Sequence, residues 1–300
     1  MPENSAYSAQ ERLVAPLRPR AQVWRLVLGM IVAGAVYFFG TQFYYLAIFR
    51  LWRDQGDGDP LGTLIGGATP LTMYTLLFSF TLLGLGAWAA RALVHRGSLQ
   101  SLIGPWEKAI GQFWRVLLIL AFINAVLFIL PPWNWGDPFV ANLPPGRWLV
   151  LLPLSLVAIL VQAGSEELVF RGYLQQQLAA RFRSPLVWMV LPALFFGSGH
   201  YLPESHGGNA ILITAWAVAF GLLMSDLTAR AGTLGPAIAV HLVNNVTAML
   251  FVSMPDELSG LSLYLAPFSA ADEAALRAWL PVDFAMMLVA WLAARLAIRR

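Results

Sequence analysis

Eight stretches of this chain are apolar over about the length that crosses the hydrocarbon core of a bilayer. Windows of ~19 residues place them near 23–49, 71–94, 114–132, 148–166, 186–202, 209–225, 233–254 and 281–298. Such runs exclude an ordinary soluble domain. Of the 300 residues, 58% are hydrophobic and 12% charged, against about 25% charged in soluble domains. Lipid offers the backbone no hydrogen-bond partner, so each run has to satisfy its own amides as helix. The expected fold is all-α: a polytopic integral membrane helical bundle of about eight transmembrane helices. The fifth run is short and contains Pro192, so it is expected to kink or to cross only part of the bilayer.

Loop charge gives a direction. Of the 19 Lys and Arg residues, only Arg50, Arg53, Arg147 and Arg277 fall on one side. The rest share the side that holds both termini, which the positive-inside rule makes cytoplasmic. Asp54, Asp57, Asp59, Asp137, Asp256, Glu257, Asp272 and Glu273 collect on the other side. The net charge of +3 is thus an asymmetry across a membrane and calls for no nucleic-acid partner. The first apolar run is too long for the core of a cleaved signal peptide and reads as a retained anchor. The implied location is a cell membrane, the inner membrane if the source is bacterial. The absence of cysteine removes disulfides, thiolate nucleophiles and thiolate metal sites.

No separate soluble domain is evident. Residues 1–22 read as a cytoplasmic tail, 23–147 as membrane helices 1 to 3 with their loops, 148–254 as a core of helices 4 to 7, and 255–300 as an outer connector with the last membrane helix. Within that connector SAADEAALRAWL (269–280) reads as a short interfacial helix capped by Ser269. Helices 1 to 3 carry almost no ionisable residue in their apolar parts and look like wall. Helices 4 to 7 carry the chemistry.

The stretch VQAGSEELVFRGYLQQQL (161–178) sets two adjacent carboxylates at the end of a hydrocarbon run. Each costs about 2.5–3.5 kcal/mol at the bilayer centre. Three pairs at i,i+4 spacing stack on a helical face: Glu167 with Arg171, Phe196 with His200, and His241 with Asn245. Glu167 and Arg171 can neutralise each other. Glu166 lies about 100° around the helix from Glu167, so its partners must come from other helices, and His200 and His241 are the candidates. Carboxylate plus imidazole in a low-dielectric cavity can activate water, directly as general base or through a bound metal. Asn245 can donate to a developing oxyanion.

HExxH is absent, and GxGD occurs only as Gly56-Asp57-Gly58-Asp59 in a polar loop outside the apolar runs. Ser198 and His200 in GSGH are two apart and face different sides of a helix, which argues against a serine nucleophile. His95, His206, Glu204 and Asp226 fall in loops or at helix ends and are expected to be solvated. Phe196, Gly197 and Gly199 are expected to serve packing.

The ordered set Glu166-Glu167-x-x-x-Arg171, Phe196-x-x-x-His200 and His241-x-x-x-Asn245, with Gly172 after the arginine and Thr233-Leu234 before the last histidine, resembles the CAAX prenyl protease and bacteriocin-processing family of intramembrane endopeptidases, known as CPBP or Abi. The resemblance covers residues 150 to 252. It implies a hydrolase with its site inside the membrane, open toward the cytosol, acting on a membrane-associated peptide or protein. By position it makes Glu166 and His200 the residues that activate water. His241 and Asn245 complete the site as ligands or oxyanion stabilisers, and Glu167, Arg171 and Phe196 support it. The family is described both as metalloproteases and as metal-free glutamate-dependent proteases. The residues suit either: Glu166, His200 and His241 make a set suited to a divalent metal such as Zn.

Two rivals from other classes stand beside this reading. One is a proton- or ion-coupled transporter using the same Glu and His residues as a path; the concentration of polar groups in one cluster disfavours it. The other is a catalytically silent immunity or binding relative, disfavoured by the intact Glu166, His200, His241 and Asn245. A geometric difficulty also remains for the structure to resolve. Glu166 closes an apolar run, whereas His200 comes fourteen residues into the next, about 21 Å along its axis. Tilt, a kink at Pro192, or a fourth helix continuing through Tyr173 would bring them level.

Overall fold

The computed structural model describes residues 6–52, 66–130, 138–255 and 258–299. The DQGDGDP loop, Arg53, Asp137, Asp256, Glu257 and Arg300, which entered the charge argument, lie outside the described residues.

The apolar runs become helices. After α1 (Ser8–Val14) and a 3-10 turn (Ala15–Arg20) come α2 (Val23–Trp52), α3 (Pro70–Leu93) and α4 (Trp106–Ile129). The fourth run is α5 (Pro145–Arg181), α-helical to Glu167, π-helical over Leu168–Gln175 and α-helical again to its end. Then follow α6 (Leu186–Ser198), α7 (Ala210–Ala231), α8 (Gly235–Phe251) and α9 (Glu273–Ala297). Among the described residues six helices are long and apolar enough to span a bilayer, and α6 and α8 are shorter apolar helices. The protein is therefore an all-α, multi-pass membrane bundle. Large apolar residues such as Phe43, Leu118, Phe122, Val150 and Leu296 lie exposed on its outer surface, as lipid-facing helices require. Among the described residues a small sheet is formed by β1 (Val140–Ala141), β2 (Val252–Ser253) and β3 (Tyr264–Leu265), with β3 in the middle, antiparallel to β1 and parallel to β2.

Several expectations need correction. Residues 269–280 do not form a separate interfacial helix. Asp272 is the cap, its carboxylate accepting from the Ala275 amide at 3.1 Å, and α9 runs unbroken from Glu273 through Pro281 to Ala297. The N-terminal segment is not a free tail: Ala9, Gln10, Leu13, Val14 and Leu17 are buried under the bundle. Asp226 is not solvated. It accepts from the Tyr7 hydroxyl (2.8 Å), Arg230 Nε (2.8 Å) and Trp291 Nε1 (3.0 Å), which ties α1, α7 and α9 together and places both chain ends at one end of the bundle. His95 is buried as well, its ring between the Arg20 carbonyl (3.1 Å) and the Tyr173 hydroxyl (2.9 Å). His206 is buried, while Glu204 is exposed as expected. These misreadings share a cause: loop position in sequence says nothing about which element later covers the loop.

The helical run through Tyr173 removes the depth difficulty. Glu167 lies fourteen residues before the end of α5 at Arg181, and His200 lies fourteen residues beyond the start of α6 at Leu186. Each is about 21 Å from the short connection between those helices, so the two stand at similar depth. His241, only six residues into α8, reaches that depth because the preceding turn is itself sunk into the bundle. Thr233 and Leu234 are fully buried, the Leu234 amide donates to the Ile103 carbonyl at 3.0 Å, and α1 lies beneath. A Cβ on Gly232, whose φ is +68°, would stand 2.7 Å from the Ala9 carbonyl oxygen, so glycine is required there both for the turn and for the contact.

Candidate active site

The site forms where α5, α6, α7 and α8 meet. On α5, the one-turn spacing that stacks Glu167 on Arg171 closes an ion pair of 3.0 Å between Oε1 and Nη1. Both side chains are fully buried, and the switch to π-helix begins at the next residue. Such widened turns recur at functional positions. Arg171 also donates from Nη2 to the Gly221 carbonyl of α7 at 3.1 Å. Its guanidinium lies over the Phe196 ring, 4.8 Å from the centroid. Gly221 lets α6 approach α7: a Cβ there would press on Ala193 at 3.0 Å, with Arg171 Nη2 at 3.4 Å.

His241 stands between the two adjacent carboxylates. Its Nδ1 is 2.8 Å from Glu167 Oε1, and its Nε2 is 3.3 Å from Glu166 Oε2. Glu167, ion-paired with Arg171, can only accept, so Nδ1 carries the hydrogen and donates it. Glu167 is thus more than the clamp for Arg171 that its spacing predicts, because it also fixes the tautomer and orientation of His241. Glu166 reaches His241, as its lack of a partner on its own helix predicts. It remains slightly exposed, where Glu167 is sealed.

His200 and His241 pack against one phenylalanine. The Phe196 centroid lies 4.7 Å from the His200 ring and 6.1 Å from the His241 ring. Phe196 is therefore the hub on which Arg171 and both histidines rest. Phe220 adds an edge contact to His241 at 5.1 Å. The carbonyl of Phe196 lies 3.0 Å from His200 Nδ1, and because a carbonyl only accepts, Nδ1–H donates and Nε2 is left with its lone pair. Ser198 donates to the Phe195 carbonyl at 2.8 Å, within its own helix and away from any nucleophilic role. Gly197 packs where expected, for a Cβ there would meet Val218 Cγ2 at 2.3 Å; Gly199 is not tightly hemmed.

Asn245 is buried one turn beyond His241, and its amide nitrogen donates to Gln162 Oε1 at 2.7 Å. Sequence reading passed over Gln162, although it sits one turn before Glu166 on a helix that is mostly hydrocarbon. That position was the available signal. One hydrogen of the Asn245 amide is committed to it and the second is uncommitted by this contact. Phe220 carried no such signal, since a phenylalanine in an apolar run is indistinguishable from packing.

The donors for a metal were tested on the same geometry. Glu166 Oε2 and His241 Nε2 face each other, but among the described residues no three His, Asp or Glu side chains are grouped to hold a metal ion. Glu166, His200 and His241 are thus not assembled as a three-ligand set, and the chemistry below has no step through a metal.

Residues 146–247 match the family described as type II CAAX prenyl endopeptidase Rce1-like. A Bacillus subtilis (strain 168) protein described as uncharacterized protein YyaK is 21% identical over 262 residues, covering 82% of this chain and 84% of that protein. No solved structure matches. The matched segment contains every residue of the candidate site and coincides with the stretch that carries the motif resemblance.

Proposed function

We propose, taking the Rce1-like core at residues 146–247 as premise, that this protein is an intramembrane endopeptidase that hydrolyses a peptide bond of a membrane-associated protein or peptide, with water activated by Glu166 and His200. A leader peptide, a bacteriocin or a membrane-bound regulator is the substrate class that fits best. The observation that carries the reading is His241 held between two consecutive carboxylates, 2.8 Å from one and 3.3 Å from the other.

Glu166 Oε2 and His241 Nε2 face each other across 3.3 Å, close enough for one proton to lie between them. With the proton on nitrogen, Glu166 accepts a hydrogen bond from the water, and the free Nε2 of His200 takes the water's proton as its oxygen attacks the carbonyl carbon. The oxyanion then meets Nε2–H of His241 and the second N–H of Asn245. Collapse breaks the C–N bond, and the proton on His200 passes to the departing amine. Glu167, Arg171 and Phe196 position these groups and take no proton. The bilayer excludes bulk water, which strengthens each of these contacts. In this reading the end of the bundle that carries both termini is cytoplasmic, as the basic residues imply.

The test is purified protein in liposomes presented with membrane-anchored reporter peptides, with a Glu166→Gln protein as the control and as a trap for bound substrate. Cleavage by the parent and none by the variant is the expected result. Proton or ion flux through parent protein that cleaves no peptide would establish the transporter instead.

A further inference from the structure

One ionisable residue within a membrane helix has no part in the site described above. Asp283 lies ten residues into α9 and makes no hydrogen bond or ion pair with any described residue. The basic groups nearest in sequence or along the neighbouring helix are committed elsewhere, Arg277 to Glu273 at 2.8 Å and Arg230 to Asp226 at 2.8 Å. A carboxylate at this depth is costly to insert, and no described residue offsets it.

Its direction is informative. Of the five buried residues of α9, Leu276, Leu280, Met287 and Ala294 form a stripe within about 40° of arc at 100° per residue, and Ala293 lies about 100° to one side. Asp283 falls within about 20° of that stripe, on the face turned to the bundle. From Arg277 to Leu296 the other exposed residues of α9 gather on the opposite, lipid-facing side, yet Asp283 is itself exposed. An exposed carboxylate on the inward face lines a crevice between α9 and the helices it packs on.

Its depth is fixed by two contacts. Glu273 lies over Gly208, where a Cβ would meet its Oε1 at 2.1 Å, and Trp291 donates to Asp226. Both join residues 65 apart, so α7 and α9 run in parallel with a constant register and Asp283 stands level with Val218. Phe220, about 3 Å further along α7, has its ring 5.1 Å from His241 and stacks on Trp216. Phe284 and Met287, which flank Asp283 on α9, pack in the same apolar cluster as Phe196, Trp216 and Phe220. Asp283 therefore faces the bundle at the level of the catalytic histidines, at the edge of the apolar cluster they pack on.

We propose that Asp283 is a specificity-determining residue: it receives a cationic side chain of the substrate, an ammonium or guanidinium group, while the peptide bond lies at Glu166, His200 and His241. This rests on the endopeptidase reading above. A lone carboxylate in apolar surroundings gains most from a full opposite charge, which a lysine or arginine of the peptide supplies and no described residue does.

The probe is a pair of membrane-anchored quenched peptides that differ only in carrying lysine or isosteric norleucine, scanned over the positions beside the scissile bond, with full-length protein in liposomes. At one position the parent is expected to favour lysine in kcat/KM by about 10- to 100-fold, the range for a hydrogen bond to a charged group, with the difference in KM. Asp283→Asn brings that ratio to about one and Asp283→Glu restores part of it. A lysine preference that survives Asp283→Asn, or no lysine preference at any position, overturns the proposal. Binding of the same peptides to Glu166→Gln protein separates this inference from the reading it rests on. Lysine-selective binding that vanishes in Glu166→Gln/Asp283→Asn upholds the cation site even if no peptide is cleaved. Equal binding of both peptides to Glu166→Gln protein overturns it even if cleavage is found.

Discussion

Replacing Glu167 by glutamine keeps the side chain's shape and removes one charge, at a position where the surroundings give no substitute. The amide oxygen can still accept from Arg171 Nη1 (3.0 Å) and His241 Nδ1 (2.8 Å). What is lost is the anion facing a guanidinium with 1% of its side chain exposed. Breaking a buried pair from one side costs about 3–5 kcal/mol. Arg171 keeps its bond to the Gly221 carbonyl and its place over Phe196, and a desolvated cation–π contact offsets up to about 2 kcal/mol. The net loss is then about 1–5 kcal/mol, a drop in melting temperature on the order of 2–15 °C for a chain of this size. Thermal unfolding in detergent, read by the fraction surviving size-exclusion chromatography, measures it. The companion Glu167→Gln/Arg171→Met removes the stranded cation and recovers most of the loss, since replacing both partners of a buried pair is often neutral. A single variant that melts with the parent, or a double variant as labile as the single one, refutes the reasoning. If Glu167→Gln is stable and inactive, then Glu167 acts in the chemistry and its place and that of Glu166 are reversed.

Glu166→Gln is expected to lower cleavage at least about 100-fold with a melting temperature near that of the parent, because Glu166 is partly exposed and holds only the 3.3 Å contact to His241. His241→Ala should be equally inactive and in addition less stable by about 2 kcal/mol, having left Glu167 short of one charged hydrogen bond; a variant that still cleaves would remove His241 from the mechanism. Gln162→Leu should lower kcat about 10-fold with KM little changed, by loosening the Asn245 amide that meets the oxyanion, and a change confined to KM would place Gln162 in substrate binding instead. Activity should be unaltered by a chelator, with no stoichiometric metal in the purified protein; loss on chelation and recovery with zinc would show that ligands assemble only with the ion. Burial pushes the His95 imidazole down to about 4, below the value of about 6.5 it regains on unfolding. The unfolded chain therefore takes up a proton that the native protein refuses. Stability is full above about pH 6.5 and falls as pH drops toward 4, by about 2 kcal/mol at pH 5. His95→Gln should flatten that slope in melting temperature between pH 7 and 5, and an unchanged slope would assign it to other groups.

Much of this protein is legible along the chain because the bilayer leaves the backbone little choice. Each of the eight apolar runs is helical, and α6, short and carrying Pro192, is the short helix that composition predicts. The i,i+4 spacing of Glu167 and Arg171 is likewise enough to predict their ion pair, since a helix has only one way to stack residues a turn apart. Glu166, lacking a partner on its own face, pointed correctly to another helix.

What the sequence could not express is which surfaces meet. That one imidazole lies between both members of the carboxylate doublet, that Phe196 carries two histidines and an arginine, and that Gln162 holds Asn245 are all contacts between residues tens of positions apart, decided by packing. The same holds for His95 and Asp226, buried by elements distant in sequence, and for Asp283, whose depth beside the site follows only from the register of α7 and α9. Periodicity fixes a side chain's direction relative to its own helix axis. The rotation and depth of that axis against its neighbours are set by close packing and hydrogen bonds across the bundle, and those settled where the doublet Glu166-Glu167 points.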